Sequence, residues 1–247
     1  MWVPTDLTGV DAKIERANEH IEDLQGHIEA FEATDPYEMV VQDDPQDAKR
    51  YQGILKIHKP IPLCIPLTTG DAIHNLRAAL DHLACAAVSE VTPNTAFPIW
   101  RSSATPKAKD YRSLVLGKVR GAPKPFINLL LGLQPYEGGN HEALWALDYL
   151  DITDKHKLLI EALTSYDKII QYAGPFAMVI KPDYEFPLKD GDELFGGLYA
   201  NREKDPDVTI EVALGEPSIL VGEPVVPALT DLVQAATAII DELRKVL

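Results

Sequence analysis

The sequence predicts an α+β fold, a helical bundle packed with an antiparallel β-sheet. Three observations carry it. Apolar residues recur at 3-4 spacing near both ends of the chain. A central stretch over 70–88 keeps its apolar residues on one side of a helix. From 176 to 221 the pattern changes to short runs separated by turn residues. Helices followed by strands with antiparallel connections define the class. With 247 residues, 46% of them hydrophobic, the chain can build a sizeable core, and wholesale disorder is excluded. The reading is one α+β domain over 1–247. It is helix-rich over 1–163 with a hairpin at 37–58, β-rich over 164–222, and closed by a C-terminal helix over 227–247.

Leu7, Val10, Ile14, Ala17, Ile21, Leu24, Ile28 and Phe31 predict a long helix over about Asp6–Ala33, its start capped by Asp6 or Thr5. His20 and His27 lie off this seam and read as surface residues. Tyr37–Gln42 and Tyr51–His58 read as strands, with Asp43-Asp44-Pro45-Gln46-Asp47 as the hairpin loop. Pro60, Pro62 and Pro66 predict an extended segment over 59–66. Thr68 then reads as the N-cap of the central helix, with Asp71 at its third position. Phe97–Trp100 is a short extended piece. Helices are expected near 107–116, 124–133 and 140–150, with Asp154 capping a further element at 157–163. Strands follow at Phe176–Lys181, Glu185–Leu188, Leu194–Tyr199, Val208–Leu214 and Ser218–Val221, and Lys189–Asp192 supplies a hairpin turn. After Pro227, residues Leu229, Leu232, Ala236, Ile239, Leu243 and Val246 repeat the seamed spacing. The two terminal stripes are expected to bury against each other, against the central helix, or across the axis of a homodimer.

Lys and Arg number 23 against 38 Asp and Glu, a net charge of −15. That balance argues against tight DNA binding, because neutralising phosphates requires cations. The charge is uneven, however: seven basic residues and one acid lie between Arg101 and Lys124. This segment is either a solvated surface or a rim that guides anions to a neighbouring site. No apolar run is long enough to span a membrane. The first residues carry no secretory pattern, and Cys64 and Cys85 are the only cysteines. A cytoplasmic location with reduced thiols is expected.

The central helix carries an unusual polar inventory. Around His74, residues Arg77, Asp81, Cys85, Asp71, His82 and Asn75 fall within an arc of about 160°, while Ile73, Leu76, Leu80, Leu83, Ala84 and Ala87 fill the opposite side. Solvated helix faces favour Lys, Glu and Gln. Imidazoles, a guanidinium and carboxylates instead suit proton transfer, phosphate contact or metal binding. The candidate catalytic groups are Arg77, His82, His74, Asp81 and His156. Asn75, Lys155 and Asp154 are candidate substrate contacts, with the Asp154-Lys155-His156 run closing a polar hollow. No cofactor is implied: the sequence has no Walker loop, G-x-G-x-x-G, G-x-S-x-G or H-E-x-x-H. Asp71-x-x-His74, joined by Asp81, His82 or His156, also permits a metal-binding bundle. Simpler roles compete: Asp71 as a helix cap, and Asp81 paired with Arg77 at i, i+4.

Four segments together resemble a family of uncharacterised bacterial proteins of actinobacterial type. They are Gly70-Asp-x-x-His-Asn-Leu-Arg-x-x-Leu-Asp-His82, Phe97-Pro-Ile99, Leu133-Gln-Pro-Tyr136 and Leu144-Trp…Asp-Lys-His156. Arg77 and His82, with four residues between them, are also similar to the Arg–His pair of HEPN domains, helical bundles that often act as metal-independent ribonucleases. That resemblance implies an RNA- or nucleotide-directed hydrolase, with His82 as general acid or base and Arg77 stabilising charge on phosphorus. It also implies a site across a two-fold axis, since Arg77 and His82 lie about 140° apart on one helix. Ala78, where HEPN nucleases carry a polar residue, and the β-rich second half depart from the pattern. The non-enzymatic alternative is a dimeric interaction or ligand-sensing module whose polar face is a buried structural network.

Overall fold

The computed structural model describes residues 6–102, 104–156, 161–166, 179–180, 187–198 and 209–247. Its elements are α1 (Thr8–Glu32), β1 (Tyr37–Asp44), β2 (Asp47–Ile57), α2 (Cys64–Ala87), α3 (Ala108–Lys118), α4 (Lys124–Leu133), α5 (Glu142–His156), β3 (Glu161–Tyr166), β4 (Val179–Ile180), β5 (Glu193–Leu198), β6 (Thr209–Leu214) and α6 (Val225–Arg244). The class is α+β, as the spacing predicts. The described residues divide into two units, one built from 6–25, 66–156 and 226–247, the other from 26–65 and 161–225.

The first unit is helical. α1 begins where Asp6 accepts a hydrogen bond from the Thr8 amide at 2.9 Å, the expected cap. On α1, Val10, Ala17 and Leu24 are buried, and on α6 so are Leu229, Leu232, Ala236, Ile239 and Leu243. Most of each apolar stripe is therefore buried, while Ile14 and Ile21 of α1 and Val246 near the end of the chain are only half-buried. His20, expected at the surface, is 8% exposed. Arg244 of α6 pairs with Asp11 of α1. α3 and α4 are joined by the Tyr111 hydroxyl, which donates to the Leu130 carbonyl at 3.0 Å.

α2 starts earlier than the prolines suggest. The Ile65 amide bonds the Pro62 carbonyl at 3.1 Å, and Pro66 falls in the first turn. Amides there lack intrahelical partners, so a missing N–H costs nothing. Thr68 is thus inside the helix rather than its N-cap, and Asp71 is an exposed second-turn residue. The apolar side is as expected: Ile73, Leu76, Leu80, Leu83 and Ala84 are at most 2% exposed. α5 also outruns its expected end at 150 and continues to His156, so Asp154 lies within the helix and caps nothing. Of the further element expected at 157–163, residues 157–160 lie outside the described residues and strand β3 begins at Glu161.

The second unit holds an antiparallel sheet of order β1-β2-β5-β4 and a β3–β6 antiparallel pair. The β1–β2 hairpin has the expected position but a tighter turn. Pairing runs from Tyr37–Ile57 to Asp44–Asp47, with a register shift at Asp43/Asp44. Gly53 stands opposite Phe195, and a Cβ there would collide with the buried ring. Tyr51, Leu55, Leu188, Leu194, Phe195 and Ile210 form this unit's core, and the Tyr37 hydroxyl donates to the Ile210 carbonyl at 2.7 Å. Lys189–Asp192 turns as expected, with Gly191 at φ +91° and its amide bonded to Leu55 of β2.

Pro187 and Leu188 precede β5 without joining a strand, and residues 185–186 of the expected strand lie outside the described residues, as do 176–178, 181, 199 and 208. The expected strand Ser218–Val221 is a run of turns. Its Leu220 amide bonds the Pro217 carbonyl at 2.8 Å, and Gly222 sits at φ +81°.

Candidate functional site

The polar side of α2 faces α5. Contacts that climb α2 descend α5, so the helices are antiparallel: Gly70 meets Asp154, His74 meets Asp151, and Arg77 meets Asp148. Spacings of four and three residues on α2 and of three on α5 produce this ladder, because i, i+3 and i+4 share a helix face. Gly70 permits the closest approach; a Cβ there would lie 2.5–2.6 Å from the Asp154 carboxylate.

The centre is a buried charge cluster. Asp148 is 1% exposed and Arg77 5%. Arg77 Nε donates to Asp148 Oδ1 at 2.8 Å, and Arg101 reaches the same carboxylate with Nε to Oδ2 at 2.6 Å and Nη2 to Oδ1 at 3.0 Å. Asp81 stands 2.6 Å from Arg77 Nη1, the expected i, i+4 pair. Asp81 Oδ1 also accepts the Phe97 amide at 2.8 Å, and Arg77 Nη2 lies 3.4 Å from the Phe97 carbonyl.

Electrostatics favours the fully charged cluster. Burial pushes the Asp148 carboxyl up, but the bonds from Arg101 and the charge of Arg77 outweigh it and hold the group below its ordinary value. Burial likewise pulls Arg77 down, and Asp81 and Asp148 more than reverse it. Arg77 is therefore spent on neighbouring carboxylates.

The other candidates separate. His74, with its side chain 57% exposed, sets Nδ1 3.0 Å from Asp151 Oδ1, and Lys155 pairs with the other oxygen of Asp151. Asp154 lies beside them. Burial, then Asp151 and Asp71, raise its pKa, only partly offset by His74 and Lys155. Asn75 accepts a hydrogen bond from Lys13 of α1 at 2.9 Å. His82 is exposed and lies over Gly9 of α1, where a Cβ would come 2.7 Å from its Nδ1. His156 is exposed at the end of α5. The fold thus brings together Arg77 with Asp81, and His74 with Asp154 and Lys155. His82 stands apart on α1's side, and the single polar hollow expected around the imidazoles and Arg77 does not form. Among the described residues, no three His, Cys, Asp or Glu side chains converge as metal ligands.

Three participants were missed. Asp148 and Asp151 lay in the segment that drew attention, but a helix ended at 150 hides their shared face with Asp154. Arg101 carried no signal beyond its place at the head of the basic segment.

A cleft of about 300 Å³ opens beside the cluster. Arg77 forms part of its wall, with Phe97, Trp100, Arg101, Leu114 and Lys118. The 97–102 segment is pinned by the Trp100 amide bonded to the Pro135 carbonyl at 3.1 Å, and the indole Nε1 donates to the Ala104 carbonyl at 2.9 Å. Lys118 donates to Asn94 Oδ1 at 3.2 Å. Two members of the basic segment, Arg101 and Lys118, therefore reach the cleft.

No family model matches the chain, and comparisons with curated proteins and with solved structures find no match. No described helix is long and apolar enough to cross a membrane.

Proposed function

We propose that this chain is a ligand-sensing module in which the Arg77–Asp148 pair is structural and Arg101 presents positive charge to an anion in the adjacent cleft. One observation carries this reading. Arg101 has its side chain 62% exposed, yet two bonds to a carboxylate only 1% exposed hold it in place. A cation fixed at a cleft wall loses little entropy when an anion arrives, which is how preorganised sites gain affinity.

The hydrolase implied by the HEPN resemblance draws support from the exposure of His82 alone. Arg77, which would have to reach a phosphate, is engaged by two acids. Much of each terminal stripe is buried within the chain, which leaves little apolar surface there for a homodimer; a dimer mass by light scattering would strengthen the two-fold hydrolase.

Thermal melting with millimolar phosphate, sulfate or acetate tests the proposal. An anion at a hundred times its Kd should stabilise the protein by about 2.7 kcal/mol. Arg101→Gln should abolish that gain, and mixed RNA should stay equally intact with wild type and His82→Ala. A full gain in Arg101→Gln, or RNA loss that His82→Ala abolishes, overturns it.

A further inference from the structure

We infer that the ligand of this cleft is a small oxyanion carrying a single aromatic ring, its charge on Arg101 and Lys118 and its ring between Trp100 and Leu114. The inference rests on the sensing role proposed above and names the ligand class.

The charge argument comes first. Around the cleft, Arg77, Arg101 and Lys118 face two carboxylates, Asp81 and Asp148, which leaves one net positive charge. Arg101 commits Nε and Nη2 to Asp148, and its Nη1 makes no bond to a described residue. Lys118 spends one of three donors on Asn94. Arg77, 5% exposed on the cleft wall, is held by Asp148 and Asp81 and contributes charge rather than a free donor.

The ring argument is one of shape. Five of the nine lining residues are apolar: Ala96, Trp100 and Leu114 are partly exposed, and Phe97 and Ile99 are largely buried. The Trp100 indole N–H is already satisfied by Ala104, so its ring is held in position and offers only an apolar surface. A volume of about 300 Å³ stands at the lower limit for small-molecule sites and suits one ring rather than a polymer.

Calorimetric titration of the full chain with inorganic phosphate, phenol, phenyl phosphate and benzoate tests this. Phenyl phosphate or benzoate should bind about tenfold or more tightly than both inorganic phosphate and phenol, a gain of about 1.4 kcal/mol. Which of the two is tighter distinguishes a phosphate monoester from a carboxylate. Lys118→Met should weaken the tighter ring anion about fivefold or more and leave phenol unchanged; Trp100→Leu should abolish the advantage over the ring-free anion, with the helical signal intact in both variants. If the ring adds less than about twofold, the ligand class is wrong while the sensing role stands. If no oxyanion binds, both fail.

Discussion

Replacing Asp148 by Asn should be the most damaging conservative change in the helical unit. The side chain keeps its shape, and its remaining carbonyl can still accept from Arg77. What disappears is the charge that compensates a guanidinium only 5% exposed. Arg77 is left with Asp81, whose side chain is 39% exposed. Removing one partner of a buried ion pair costs about 3–5 kcal/mol, because the other charge stays desolvated. The new amide also presents donors toward Arg101, but that side chain is exposed and can turn into water, which adds about 1 kcal/mol at most. The expected loss is therefore about 3–6 kcal/mol, a large part of the 5–15 kcal/mol typical of a domain. Urea unfolding followed by far-ultraviolet circular dichroism at pH 7 should show the midpoint falling with the slope unchanged. Arg101→Gln is the control and should cost no more than about 1 kcal/mol. An Asp148→Asn midpoint within about 1 kcal/mol of wild type refutes the buried-pair argument, as would an equal loss in Arg101→Gln.

The depressed pKa of Asp148 fixes a pH response. Its folded value lies below the unfolded value, so the stability it contributes is complete above the unfolded carboxyl range and lost as pH falls through the folded value, below about pH 4. The acid midpoint should flatten in Asp148→Asn. Asp154 has the opposite sign: its raised pKa means that ionisation costs stability as pH rises through the folded value. It also lies in the last turn of α5, where the helix dipole disfavours a negative charge. Asp154→Asn should therefore raise the melting temperature at pH 7 by about 1–2 °C and leave it unchanged near pH 3; a lower melting temperature at pH 7 would count against the placement. In the sheet unit, Gly53→Ala drives a methyl into the fully buried Phe195 ring and should cost about 1–3 kcal/mol in a chemical melt. Gly9→Ala meets only the exposed His82, which can swing away, so a comparable loss there would show His82 to be more firmly held than its exposure implies.

The sequence by itself determined the class, both terminal helices, the hairpin and the inward face of α2. Each is a local periodicity repeated over enough residues to override isolated exceptions. It also located the polar face of α2 and the Arg77–Asp81 pair, which is a matter of spacing along one helix. It failed where helix ends were decided by tertiary partners. α2 begins before Pro66, since a first-turn proline costs nothing, and α5 continues past 150, carrying Asp151 and Asp154 onto the face that meets His74 and Gly70. Which carboxylate Arg77 would find, that Arg101 would reach the same one from 47 residues away, and that His82 would turn toward α1 instead are consequences of how helices pack. No spacing rule holds that information, because it depends on distances between segments that are remote in the chain.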